Sequence, residues 1–306
     1  MRVIVHIGAG KCGSSSIQNF LRVNRDALLE QGYVVPTSTL AEGGEFTGHH
    51  VGYFEGLRQT EQASAVFVRD LEACKAAAPT GAHTILLSAE NLSNPNRWSA
   101  VFANVCPDGV VAYIRRQDDF LESAWQQWIA ETGQDLREWL KQAVGKAGDW
   151  RASLKPWIGI AGREAITVRR FMLSELHDGD AVRDYANVIG LDCTSLQFPP
   201  PVNVALNAGF GRLLQTRGDN SLFEKVRART GTKHVKQPNE RLLSGAERIA
   251  ILEHYSESNA WVRNEFFPEL AARDEPLFSL SPQEATAPAI APEVIEQQMR
   301  ELLRDL

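Results

Sequence analysis

The chain is poor in sulfur, in long apolar runs and in excess positive charge. Four cysteines, Cys12, Cys74, Cys106 and Cys193, are scattered over 306 residues without metal-type spacing. They read as the reduced thiols of a cytoplasmic protein, and neither a disulfide framework nor a metal site follows from them. No apolar run approaches the ~20 residues a membrane-spanning helix needs. The N-terminus has no apolar stretch between a basic head and a small-residue cleavage site, so no signal peptide is expected. Lys and Arg number 32 against 38 Asp and Glu, a formal net charge of -6. That balance excludes a general nucleic-acid binder and argues against a highly sulfated polyanion as acceptor, while leaving small ligands open because they meet a local field. No internal repeat is present. What remains is ordinary globular composition, 43% hydrophobic and 23% charged, sufficient for a large core.

Residues 1–16, MRVIVHIGAGKCGSSS, organise the rest. Val3 to Ile7 is a short β-branched run suited to a buried strand. Gly8, Gly10 and Gly13 break it. Ser14, Ser15 and Ser16 suit a helix start, and Ile17, Phe20, Leu21, Leu28 and Leu29 give one helix an apolar face that Gly32 ends. Strand, glycine loop and helix frame an anion cradle, since backbone N–H groups and the helix dipole both favour negative charge there. Lys11 adds a full positive charge. Cys12, beside a lysine and a helix start, has a route to a lowered pKa, but a small residue that fits the loop is the simpler expectation.

Three loop types compete. Gly8-Ala-Gly10-Lys-Cys-Gly13 fits the dinucleotide pattern G-x-G-x-x-G, but the second expected strand, Tyr33 to Val35, is followed by Pro36 and Thr37 and no acid for a ribose. Gly8-x4-Gly13 opens a Walker A loop, yet Ser14 stands where its lysine belongs. In the third type a lysine lies two positions before a glycine and hydroxyls follow. Gly10-Lys11-Cys12-Gly13-Ser14-Ser15 resembles the 5′-phosphosulfate loop P-K-S-G-T-T of sulfotransferases, with Gly10 for proline and Cys12 for a small or hydroxyl residue.

Further along, Thr37 to Gly52 is a Gly-rich loop. If the strands are parallel it leaves the same sheet edge as the glycine loop, which places Glu42, Glu45, His49 and His50 toward an acceptor. Ala63 to Ala78 reads as a helix and Thr84 to Ser88 as a strand. Glu90, just past that strand, is a candidate base or cap. Val110 to Ile114 is another strand, and Asp118 and Asp119 open a helix running to about Thr132. Arg115 at the strand end and Ser123 two turns into the helix can clamp a phosphate. Trp125, Trp128 and Trp139 fall at helical spacing and read as core. Ala147-Gly-Asp-Trp150 reads as a helix start. Ala165 to Arg170 is a fifth strand and Gly179 to Ile189 a helix. Lys225, Arg227, Arg229, Lys233, His234 and Lys236, around Gly231, read as a solvated basic face, with a lid over a phosphate as the other reading. Ser244 to Phe267 reads as one long helix.

The stretch from Val110 through Arg115 to Ser123 resembles the second sulfotransferase signature, a strand and then R-x-P-x-D-x-x-x-S, with glutamine for proline. The resemblance covers about residues 3–189, and Arg169-Arg-Phe171 and residues 258–263 also look like bacterial members without carrying assigned chemistry. It implies an α/β fold with a P-loop-type central parallel sheet, helices on both faces and a helical C-terminal part. One domain would span 1–280, helical from about 203, with 281–306 a Pro/Ala-rich linker and tail helix able to dock on the core or on a second subunit, making a homodimer possible. The implied donor is 3′-phosphoadenosine 5′-phosphosulfate (PAPS), with no metal. Gly10, Lys11, Cys12, Gly13, Ser14, Ser15 and Ser16 would bind its 5′ end, and Arg115 and Ser123 its 3′-phosphate. Glu90 would be the base, in the place where cytosolic members carry a histidine, with His49 or His50 as alternatives. The acceptor is a small molecule, a sugar or a lipid headgroup carrying a hydroxyl or amine. The competing expectations are a nucleotide-binding protein without catalysis and a P-loop small-molecule kinase.

Overall fold

The structure, a computed structural model, describes residues 1–41, 43–94, 98–200, 207–217, 221–230, 233–237 and 240–305. In chain order it begins with β1 (Arg2–His6), α1 (Ser14–Val23), α2 (Arg25–Glu30), β2 (Tyr33–Val34), α3 (Val51–Arg58), α4 (Ala63–Ala77), β3 (Thr84–Ser88) and β4 (Gly109–Ile114). Then come α5 (Gln117–Thr132), α6 (Leu136–Ala143), α7 (Trp150–Ala161), β5 (Ile166–Arg170), α8 (Ala181–Ile189), α9 (Ala208–Arg217) and α10 (Ser221–Thr230). The chain ends with α11 (Gly245–His254), α12 (Ser256–Phe266), α13 (Pro268–Ala272), α14 (Pro282–Thr286) and α15 (Pro292–Asp305).

Two compact units divide this chain otherwise than as a body and a tail. Unit 1 is Met1–Arg115 with Trp150–Val202, and unit 2 is Arg116–Asp149 with Asn203–Leu306.

Unit 1 holds a five-stranded, all-parallel sheet in the order β2-β3-β1-β4-β5. The expected α/β class and parallel sheet are therefore found. Strands buried on both sides read as unbroken apolar runs, and Val3, Ile4 and Val5 and Ile85, Leu86 and Leu87 are all buried. The chain crosses leftward from β1 to β2 and rightward from β4 to β5. Right-handed crossovers in opposite directions place α1 and α2 on one face and α7 on the other. Phe54 of α3, Phe67 of α4, Phe102 and Trp157 of α7 pack ring to ring, with centroids 5.0 to 5.7 Å apart. Each such fully buried ring stabilises the fold by about 1.5–3 kcal/mol.

The expected first helix is two, α1 and α2, broken at Asn24. That side chain is buried and ties the Phe20 carbonyl (2.9 Å) to the Gln197 carbonyl (2.8 Å). A side chain that bonds i-4 and a distant segment competes with helix continuation.

Unit 2 is helical. Its core gathers Leu121 and Trp125 of α5, Leu136 of α6, Phe210, Leu213 and Leu214 of α9, Ile251 of α11 and Leu302 of α15. Trp139 packs partly buried against it, as the core reading of these tryptophans expected, while the Trp128 side chain lies outside the described residues. A Cβ on Gly209 would stand 2.5 Å from the Met299 nitrogen, so glycine is what lets α15 press against α9. The tail helix thus docks on its own unit. The expected long helix from Ser244 splits into α11 and α12 at Tyr255, whose hydroxyl bonds the Ala147 carbonyl and accepts from Gly145 N–H (2.9 Å). The stretch 281–292, expected to be a linker, carries α14 with a Ser281–Glu284 capping box.

Candidate functional site

Parallel strands put all five carboxyl ends on one edge of the sheet. After β1 the chain turns toward β2 and after β4 toward β5, so a crevice opens between β1 and β4, the place where open α/β sheets take ligands. The glycine loop leaves β1 there and Arg115 leaves β4. The Arg115 Nη1 donates to the Lys11 carbonyl at 3.1 Å. Its own carbonyl accepts from the Trp150 indole N–H at 2.8 Å, and its guanidinium lies 5.7 Å from the centre of the Phe171 ring. The two signature stretches therefore meet.

The loop is held in backbone geometry that few residues tolerate. Lys11 has φ 67°, a left-handed conformation costing a lysine on the order of 1 kcal/mol or more. Gly13 has φ 85°, and a Cβ there would stand 3.0 Å from both Phe171 and Ala181. The first turn of α1 has no acidic residue and no side-chain cap. The nearest counter-charge comes from another segment, where the Ser14 hydroxyl donates to Glu90 Oε2 at 2.8 Å. The strand register explains that contact. His6 lies opposite Ser88 and its carbonyl accepts the Ala89 N–H at 3.0 Å, so the chains leave the two strands side by side. Burial holds the Lys11 pKa below its ordinary value, Glu90 opposes that shift and Arg115 adds to it. Lys11 thus meets one carboxylate and one further cation.

Two neutral imidazoles are buried against Ser88 at the end of β3. His6 is fully buried, its Nδ1 is 2.8 Å from the Ser88 hydroxyl, and burial lowers its pKa from 6.5 to about 3. A Cβ on Gly8 would lie 2.4 Å from His6 Nε2, so any larger residue there has to displace the His6 ring. His50 is fully buried as well, with its pKa lowered to about 4 by burial. Its Nδ1 accepts the Ser88 N–H at 3.1 Å. Nδ1 also lies 3.3 Å from the Ser88 carbonyl, and Nε2 is buried with no hydrogen-bond partner among the described residues. His50 anchors the Gly-rich loop to β3 instead of facing an acceptor. His49 is half-buried beside it. Cys12 is fully buried and its thiol is pushed up to about 12, so its neighbours do not activate it and it fills space.

Gly10 borders open space, with nothing within 4 Å of a Cβ placed on it. Ser15 and Ser16 follow Ser14 in the first turn of α1. Ser123 lies half-buried on α5 in unit 2, so the role of Arg115 below rests on unit 1 alone. Glu42 and Gly231 lie outside the described residues, and Glu45 is exposed. The expected basic face is partly committed elsewhere. Lys233 and His234 pair with Asp305 at 2.7 Å each, and Lys236 pairs with Glu122.

Two residues of this site were not singled out from the sequence for chemistry. Phe171 follows β5, its N–H donates to the Ile114 carbonyl at 2.7 Å, and its ring touches both Gly13 and Arg115. Trp150 secures the Arg115 backbone. Only the adjacency of β4 and β5 brings Phe171 to the loop. Trp150 had a signal, in the Gly-Asp-Trp run at a helix start.

Among the described residues no group of His, Cys, Asp and Glu is arranged to hold a metal ion, and no helix is long and apolar enough to cross a membrane. No protein-family model matches the chain, and no curated protein matches it significantly. Among solved structures, the chain is similar to the crystal structure of a sulfotransferase from Alicyclobacillus acidocaldarius, at 15% identity and a TM-score of 0.41 over 74% of this chain and 90% of that one.

Proposed function

We propose that the chain is a sulfotransferase that moves a sulfuryl group from PAPS to a hydroxyl or amine acceptor. The observation that carries the reading is the Arg115 hydrogen bond to the Lys11 carbonyl, which joins the two stretches at a sheet edge suited to a phosphorylated ligand. The donor set fits such a ligand. Lys11 lies in the field of a second cation, Arg115, as well as of Glu90, and the α1 N-terminus lacks an acid of its own. The donor, when bound, supplies the activated sulfuryl group.

In this reading Lys11 and the backbone N–H groups of residues 12 to 16 stabilise negative charge at the 5′ end as it develops. Arg115 holds the 3′-phosphate, with its guanidinium braced by Phe171 and its backbone by Trp150. Glu90 accepts the acceptor's proton, and half-buried His49 is the remaining histidine able to do so.

The test is release of 3′-phosphoadenosine 5′-phosphate (PAP) from PAPS against a panel of hydroxyl and amine acceptors, with thermal shifts by PAP and by Mg-ATP alongside. PAP is expected to stabilise the protein. Lys11→Ala is expected to lower turnover by about 10²–10³ with the melting temperature unchanged. Stabilisation by Mg-ATP and not by PAP would overturn the reading in favour of a kinase. Binding without turnover across the panel would leave a nucleotide-binding protein.

A further inference from the structure

We infer that Ser14 is a switch that couples donor binding to release of Glu90, so that the base becomes competent only after the donor is in place. The inference rests on the sulfotransferase reading and concerns the order of events at that site. A serine hydroxyl carries one proton and makes one donated bond at a time. In the structure that bond goes to Glu90 Oε2 at 2.8 Å. Ser14 is also the first residue of α1, beside a loop whose Lys11 feels the Glu90 charge. The same proton therefore has two anionic acceptors to serve, the Glu90 carboxylate and an oxygen at the donor's 5′ end.

Two consequences follow. While Ser14 donates to Glu90, the carboxylate stands in for the ligand anion, neutralising part of the field of Lys11 and Arg115 and repelling a second anion. When Ser14 turns to the donor, Glu90 loses a charge-assisted bond. That leaves Glu90 Oε2 free to accept a bond from another hydroxyl or amine. The carboxylate restrains donor binding and, once released, is set to take a proton. Kinetically the donor adds before the acceptor can react.

The probe is PAP, titrated by calorimetry into wild type, Glu90→Gln, Ser14→Ala and the double variant, with thermal melting as a check of folding. Glu90→Gln keeps the shape and removes the charge, and is expected to bind PAP about tenfold more tightly than wild type. In the Ser14→Ala background the same change is expected to give a gain of about threefold or less, because the contest for the proton is gone and only through-space repulsion remains. Equal or weaker binding by Glu90→Gln, or the same gain in both backgrounds, overturns the switch. If Glu90→Gln does not fold, Glu90→Asp, which withdraws the carboxylate by one methylene, is read instead, with tighter binding supporting the switch and equal or weaker binding overturning it. If wild type binds no PAP at all, the sulfotransferase reading fails, and the switch with it.

Discussion

In unit 2, Arg116, Arg241 and Arg248 face Asp118, Asp119 and Glu284, with Arg116 on Asp118 at 2.8 Å, Arg248 on Asp118 at 2.6 Å and Arg241 on Asp119 at 2.7 Å. Glu284 of α14 closes the set at 2.8 Å from Arg116 and 3.0 Å from Arg248. Three cations meet three carboxylates, and the Arg248 and Asp118 side chains are 2% and 1% exposed. In unit 1, Lys11 at a sheet edge meets one carboxylate, Glu90, and one further cation, Arg115. A balanced, buried network offers no net field to a ligand, and its work is to hold segments together. An unbalanced cluster at a strand-end crevice keeps positive potential for an anion. Arg115 and Arg116 are neighbours in the chain, yet one points its charge at the loop and the other ties down α14.

The contrast breaks most visibly if the unit 2 network is opened. Asp118→Ala leaves Arg248 buried without its closest partner and should cost about 3–5 kcal/mol in urea denaturation. Asp118→Leu with Arg248→Met should recover most of it. A single-variant loss under about 1 kcal/mol would mean the network holds nothing.

Acid sharpens the comparison, because the floor of unit 1 buries two neutral histidines, His6 and His50. The folded-state pKa values of His6 and His50 are about 3 and 4 against an ordinary 6.5. Their contribution is complete above pH 6.5, where both states are neutral. It is lost as pH falls toward 4 and then 3, because only the unfolded chain takes up the protons. At pH 5 the loss is about 2 kcal/mol for each histidine. Thermal melting should fall across that window, and less so in a His50→Gln variant. A flat profile from pH 7 to 5 would show that these imidazoles are not buried neutral.

The smallest effect concerns the loop floor. Gly8→Ala forces a methyl against the His6 ring and should cost about 1–3 kcal/mol. The penalty should vanish in a His6→Ser background. An equal penalty there would place the strain elsewhere in the loop.

Much of unit 1 was legible because its signals are local. Short β-branched runs ended by glycine or by a charged residue marked β1, β3 and β4, and the glycine-lysine-serine run marked the start of α1. Lys11, Arg115 and Glu90 were legible as strand-end residues without knowledge of which strands are neighbours. The basic stretch misled because Lys233, His234 and Lys236 find carboxylates on Asp305 and Glu122, which are far away in sequence. His50 misled for a similar reason, since adjacent histidines in a Gly-rich loop look exposed until one is seen accepting the Ser88 N–H. The 281–292 stretch looked like a linker by composition, but a capping box and Glu284 give it a structural role.

Periodicity, turn chemistry and charge spacing were enough to mark the strands and a loop built for an anion, since each depends on residues within a few positions of one another, while the parallel sheet was expected only from the resemblance of the two signature stretches. Strand order and register decided the rest. They set the end of β1 beside the end of β3, bring Phe171 to Arg115, bury His6 and His50 as neutral spacers and hand the Ser14 proton to a carboxylate 76 residues away. Those are contacts between segments whose sequences carry no mark of each other, and only the folded sheet puts them within bonding distance.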